Sequence, residues 1–113
     1  MRKLIFALAP LILFAATAAE ARTARCVVDS GDFPTWAGAC DFEADADGSF
    51  AISPLEGAFP GGVSDITVSI TEPGVAEVRG LTSRGVNSRW GEARRSDDDR
   101  ACWVGEDFSI CVY

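Results

Sequence analysis

Asp65-Ile-Thr-Val-Ser-Ile-Thr71, then Glu72-Pro73-Gly74, then Val75-Ala-Glu-Val-Arg-Gly-Leu81 is the stretch that decides the fold. Its first part alternates. Ile66, Val68 and Ile70 fall on one face, and Asp65, Thr67, Ser69 and Thr71 fall on the other. That period of two marks a half-buried strand. Glu72-Pro73-Gly74 predicts a type II turn, with Pro at its second position and Gly at its third. Val75–Leu81 is then the return strand of a hairpin.

Shorter signals of the same kind flank this hairpin. Arg25–Val28 and Gly38–Glu43 read as strands, Asp45–Gly48 as a turn, and Ser49–Ser53 as a strand with Phe50 and Ile52 on one face. Residues 57–62, with Pro60, form a loop. Ala101–Val104 and Phe108–Val112 make a last hairpin. No stretch after Ala21 sustains a helical period, although a single helical turn near Glu92–Ser96 fits the composition. Short strands at this spacing predict an all-β domain, a small antiparallel sandwich or barrel built from hairpins. There is no internal repeat and no domain linker, and the length suits one domain.

The N-terminus reads differently. Met1-Arg2-Lys3 precedes an apolar run from Leu4 to Ala19, broken only by Pro10 and Thr17, and Ala19-Glu20-Ala21 follows. A positive start, an apolar stretch and an Ala-x-Ala site are the parts of a secretory signal peptide. Residues 1–21 are therefore expected to be removed, with cleavage after Ala21 or alternatively after Ala18, leaving a single domain over residues 22–113. Arg25 precedes Cys26 where a lipoprotein would need a small residue, which argues against a lipid anchor. The expected location is the periplasm or cell exterior, with no membrane attachment after processing.

Cys26, Cys40, Cys102 and Cys111 form an even set, and an exported chain favours disulfides over free thiols. Of the three possible pairings, hairpin geometry favours Cys26–Cys40 and Cys102–Cys111. A turn centred on Glu106-Asp107 sets Cys102 opposite Cys111, and one centred on Phe33 folds Cys40 back onto Cys26. Directly opposed strand residues lie within disulfide range. Each closure is worth roughly 3 kcal/mol of chain entropy. That matters in a chain with a small core.

Residues that are missing exclude more than motifs suggest. Beyond Ala21 there is no His and no Lys, while eight Arg face sixteen Asp and Glu. This removes Ser-His-Asp and Cys-His catalysis, Schiff-base chemistry and a Ser-Lys dyad. It also removes a His-type zinc or copper site. No G-x-S-x-G, Walker A or G-x-G-x-x-G occurs, and no cofactor is implied. Paired carboxylates remain as the one acid-base device, with nothing to say which two. Net acidity disfavours nucleic acid and anionic membranes, and would attract a cationic protein. It also serves simply to keep an exported chain soluble.

Three local features bear on binding. Glu43-x-Asp45-x-Asp47-Gly48 resembles the first half of a calcium loop, but the position that should supply a bidentate Glu is Pro54. The competing reading is the solvent face of a strand and its turn, with Phe42, Ala44 and Ala46 inward. Residues 84–100 are the least regular segment and carry Arg84, Arg89, Trp90, Arg94 and Arg95. Trp and Arg are enriched in binding hot spots, so this is a candidate binding loop. It equally fits a solvated loop with internal ion pairs and Trp90 folded onto the core. Trp36, Trp103, Phe33 and Phe59 could form a sugar-stacking platform, or could be core.

Gly38-Ala-Cys40-Asp-Phe42, Gly48-Ser-Phe50 and Arg100-Ala-Cys-Trp-Val104 with Ile110-Cys111 together carry a likeness. The chain resembles a group of short exported proteobacterial proteins of uncharacterised function. They share a paired-Cys first hairpin and a terminal Ala-Cys-Trp-Val…Ile-Cys hairpin. Gly105 stands where that group often has Asn, and a His often found there in the segment matching Glu92–Ser96 is missing. The resemblance implies export and two disulfides, and carries no activity.

The functional expectation is a non-catalytic protein-binding module, in one form an inhibitor or immunity-like protein against a cationic enzyme such as a lysozyme. The alternatives are a cell-wall or carbohydrate-binding accessory domain or small glycan-acting enzyme, and a structural envelope component. The sequence does not specify an oligomeric state.

Overall fold

The computed structural model describes residues 20–113. Eight strands follow one another: β1 (Glu20–Asp29), β2 (Trp36–Ala44), β3 (Phe50–Pro54), β4 (Val63–Glu72), β5 (Val75–Thr82), β6 (Asn87–Arg95), β7 (Cys102–Val104) and β8 (Ser109–Val112). Each pairs antiparallel with the next, and β8 returns to β1, so the sheet closes into an up-and-down barrel. Closure shortens the exposed sheet edges, which remain where β6 runs past β7 and β1 runs past β8. The seam runs from Cys26↔Val112 to Asp29↔Ser109. Beyond it Tyr113 N–H donates to the Arg25 carbonyl at 2.8 Å, and Arg25 N–H donates back at 3.2 Å.

The expected export segment falls on residues 1–19, outside the described residues, and on Glu20 and Ala21. Those two stand at the start of β1, opposite Ala44 and Glu43.

Alternation sets what fills the barrel. Ile66 and Val68 are fully enclosed, and so are Val28, Val78 and Ile110 from other strands. The outward neighbours of Ile66, Val68 and Val78 are polar or charged, and among the described residues no polar or charged residue is buried. The central hairpin forms as its sequence predicts. Pro73-Gly74 joins Glu72 to Val75, and Gly74 takes the positive φ (74°) that this turn demands.

Both expected disulfides are present. Cys102 lies directly opposite Cys111, with Cα atoms 4.0 Å apart. The first pair is diagonal. Cys26 faces Gly38 and Cys40 faces Ala24, because the hairpin is centred on Asp32 and not on Phe33. Side chains two residues apart share a face, so the bridge still forms, with Cα atoms 5.8 Å apart. The two bridges sit on opposite sides of the barrel wall. Cys26 and Cys40 are fully enclosed in the core. Cys102 and Cys111 flank the inward-facing Trp103 and Ile110, so their bridge points outward.

The segment read as an irregular loop is a strand. β6 covers Asn87–Arg95 and pairs along β5, and no helical turn forms at Glu92–Ser96. A bulge hides its period. Val78 pairs with Gly91 and Arg79 with Arg89, so Trp90 is an extra residue that breaks the alternation. Gly91 takes a φ of 122° there, open to glycine and costly for other residues. The one fully buried inward position of β6 is Ala93, which adds almost no hydrophobic signal.

Candidate functional site

An up-and-down meander sends alternate turns to the same end of the barrel. Residues 30–35, 55–62, 83–86 and 105–108 therefore converge on one mouth. The turns at 45–49, 73–74 and 96–101, with the start of β1, form the opposite mouth.

The first mouth combines exposed apolar tips with acids. Phe33, Leu55 and Val86 are 49%, 48% and 55% exposed, and Leu81 projects from the outer wall nearby. Asp29, Asp32, Glu56, Glu106 and Asp107 surround them, with Arg84 the single cation in these four turns. The turns are tied together. Phe33 lies over Gly61, Ser83 N–H donates to the Gly62 carbonyl at 3.1 Å, and Gly31 N–H donates to Asp29 Oδ1 at 3.1 Å. A cleft of about 360 Å³ opens between them. Its floor is Trp90 packed edge-on against Phe108, with ring centroids 5.7 Å apart. Ser30 Oγ, at the edge of this cleft, is shielded and has no hydrogen-bond partner among the described residues.

The five candidate hot-spot residues do not form one loop. Arg84 is at the tip of the turn at 83–86, in the first mouth. Trp90 is half-buried in the cleft floor. Arg94 lies on the outer wall, and Arg89 borders the cleft and reaches out onto that wall. There Arg89 Nε meets Glu77 at 2.8 Å, and Arg94 meets Glu92 at 3.2 Å. The Arg89 guanidinium, with Arg79, holds the Glu77 carboxyl below its ordinary value. Exposed pairs of this kind hold little energy. Arg95 points inward at the far mouth, over Trp103. Strand geometry explains the scatter, because neighbouring residues alternate across the wall.

The other sequence candidates also separate. Glu43 is on the outer face of β2, and Asp47 Oδ1 accepts the Ser49 N–H at 2.9 Å within the turn. Among the described residues no three acids group as a metal site. Phe42 and Ala44 turn inward as expected, but Ala46 is exposed. The aromatic platform does not form. Phe59 and Trp103 are buried, Trp36 packs edge-on against Phe59 at 4.8 Å, and Phe33 alone is exposed.

Sequence reasoning missed Leu55, Val86, Phe108 and the pairing of Asp32 with Asp107 across one cleft. No local signal groups them. These residues sit at every second turn, and only an up-and-down order places every second turn together. No family model, curated protein or solved structure matches this chain.

Proposed function

We propose that this chain is a non-catalytic binding module of the periplasm or cell exterior, and that the first mouth docks a cationic protein. One observation carries the reading: exposed Phe33, Leu55 and Val86 share a barrel end with five acids, against Arg84 in its turns and Arg89 at the border of its cleft. Apolar tips supply contact area, and the acid surround selects a basic partner and speeds its approach. The stitched turns and packed barrel pre-organise that surface, which lowers the entropy lost on binding. Two disulfides fit an oxidising compartment. Together with the pattern of residues 1–21 they support export.

A cationic cell-wall enzyme such as lysozyme is the first partner to test. Titration calorimetry at low and high salt should give a complex that weakens as salt rises. Phe33→Ser and Val86→Ser should each weaken it, while Arg94→Gln on the outer wall should not. Absence of a complex at low salt removes lysozyme as the partner. A complex indifferent to both Ser substitutions removes the mouth as its site.

Asp32 and Asp107 on one cleft support a second reading, a small glycan-acting enzyme with two carboxylates. Both are exposed, so neither has the apolar enclosure that suits a general acid. Release of reducing ends from glycans that Asp32→Asn abolishes would favour it over docking.

A further inference from the structure

The geometry points to a second binding site, at the opposite mouth, for a small organic carboxylate. Two guanidinium groups face inward there in an otherwise acidic chain. Arg22 stands opposite Phe42 in the β1–β2 register, and Arg95 stands opposite Trp103 in the β6–β7 register. Each lies over its aromatic partner, Arg22 at 4.9 Å and Arg95 at 5.6 Å from the ring centroid. Both line one cleft of about 300 Å³, together with Phe50.

A guanidinium carries five N–H donors in a rigid plane. Arg22 Nη1 donates to the main-chain oxygen of Tyr113, the last residue of the sequence, at 3.3 Å, and Arg95 Nε donates to the Arg100 carbonyl at 2.8 Å. One nitrogen of each is thus anchored to the main chain, and Arg22 Nη2 and both Arg95 terminal nitrogens have no partner among the described residues. Stacking holds the planes, so a carboxylate meets donors already oriented. The carboxylates nearby do not consume them. Glu20 reaches Arg22 only at 3.6 Å, in a pair exposed on both sides. Asp47 and Glu72 line the adjoining cleft, but among the described residues Arg95 forms no ion pair. Phe50 and Trp103 supply an apolar wall for the body of the ligand. Cleavage after Ala21 would remove Glu20 and leave an α-ammonium on Arg22, which makes the mouth more cationic.

The test uses the exported, processed protein with benzoate as probe, benzamide as its neutral counterpart and inorganic sulfate as a purely charged one. The Trp103 indole N–H is followed by NMR at low salt. Benzoate should shift it saturably, and benzamide should bind about tenfold more weakly or less, since charge-assisted hydrogen bonds are lost. Arg95→Gln and Arg22→Gln should each weaken benzoate by about tenfold. Arg94→Gln, on the outer wall, should leave it unchanged. Benzamide equal to benzoate, no saturable shift, or sulfate binding where benzoate fails would each overturn the proposal. Arg22 lies near the start of β1, so its variant tests the site even where Arg95→Gln unsettles the barrel. Phe33→Ser should not alter benzoate binding, which separates this site from the docking mouth.

Discussion

Gly105→Ala is expected to be the most damaging single-methyl addition in the terminal hairpin. A Cβ at Gly105 would lie 2.1 Å from Phe108 Cε1 and 2.3 Å from its Cζ. Contact at that range is impossible, so either the ring or the turn must move. The turn is held by Gly105 N–H donating to the Phe108 carbonyl at 2.8 Å. The ring is 6% exposed and packs on Trp90. Expelling it forfeits about 2 kcal/mol of burial and about 1 kcal/mol of aromatic pairing. A total of about 3 kcal/mol should lower Tm by roughly 10–20 °C in a domain of this size. Thermal unfolding by circular dichroism reads this loss, and Trp fluorescence should report the disturbed Trp90. The cause is isolated by a double-mutant cycle. In a Phe108→Ala background the ring is gone, so Gly105→Ala should cost almost nothing more. An unchanged Tm refutes the collision. A cost that persists without the ring assigns it to the backbone of the turn.

Further outcomes follow from the same geometry. Intact mass of the exported protein should fall four hydrogens short of the reduced value, because all four Cys are bridged. Replacing Cys26 and Cys40 by Ala should cost more than replacing Cys102 and Cys111, about 4 against about 3 kcal/mol in denaturant unfolding, because it also opens a void in the core. Ile66→Ala should cost about 2–5 kcal/mol, since Ile66 is fully enclosed. Tyr113 hydroxyl donates to Asp99 at 2.7 Å, which lowers the Asp99 carboxyl below its usual 3.8 and raises the Tyr113 hydroxyl above its usual 10.0. Their contribution to stability is therefore present at neutral pH. It is lost as pH falls through the lowered Asp99 value and again as pH rises through the raised Tyr113 value. Tyr113→Phe should flatten both limbs of the stability–pH profile and return the Asp99 titration, followed by carboxyl NMR, toward its usual value.

The central hairpin was legible because alternation, turn chemistry and length agree over Asp65–Leu81. The terminal disulfide was legible because Cys102 and Cys111 flank a short turn at equal distances. The first disulfide was legible as a pair but not in register, since nothing in Gly31–Thr35 distinguishes a centre at Asp32 from one at Phe33. β6 was not legible. Its one fully buried residue is Ala93, Arg95 on the same face is charged, and the bulge at Trp90 shifts the period. Of the paired alternatives, the solvent-face and core readings match the structure: β2 ends at Ala44 and leaves Asp45 and Asp47 in the turn, and Phe59 and Trp103 are taken into the core.

Sequence alone thus determined the β class, the cross-links and the chemistry that the absence of His removes. These are local properties, set by residue type and by spacing within one hairpin. Only the tertiary structure decided that the sheet closes, that four separated turns make one acidic and apolar mouth, and that Arg22 and Arg95 line one cleft at the other. Closure depends on Arg25–Asp29 pairing with Ser109–Tyr113 across nearly the whole chain, a contact that no local pattern encodes.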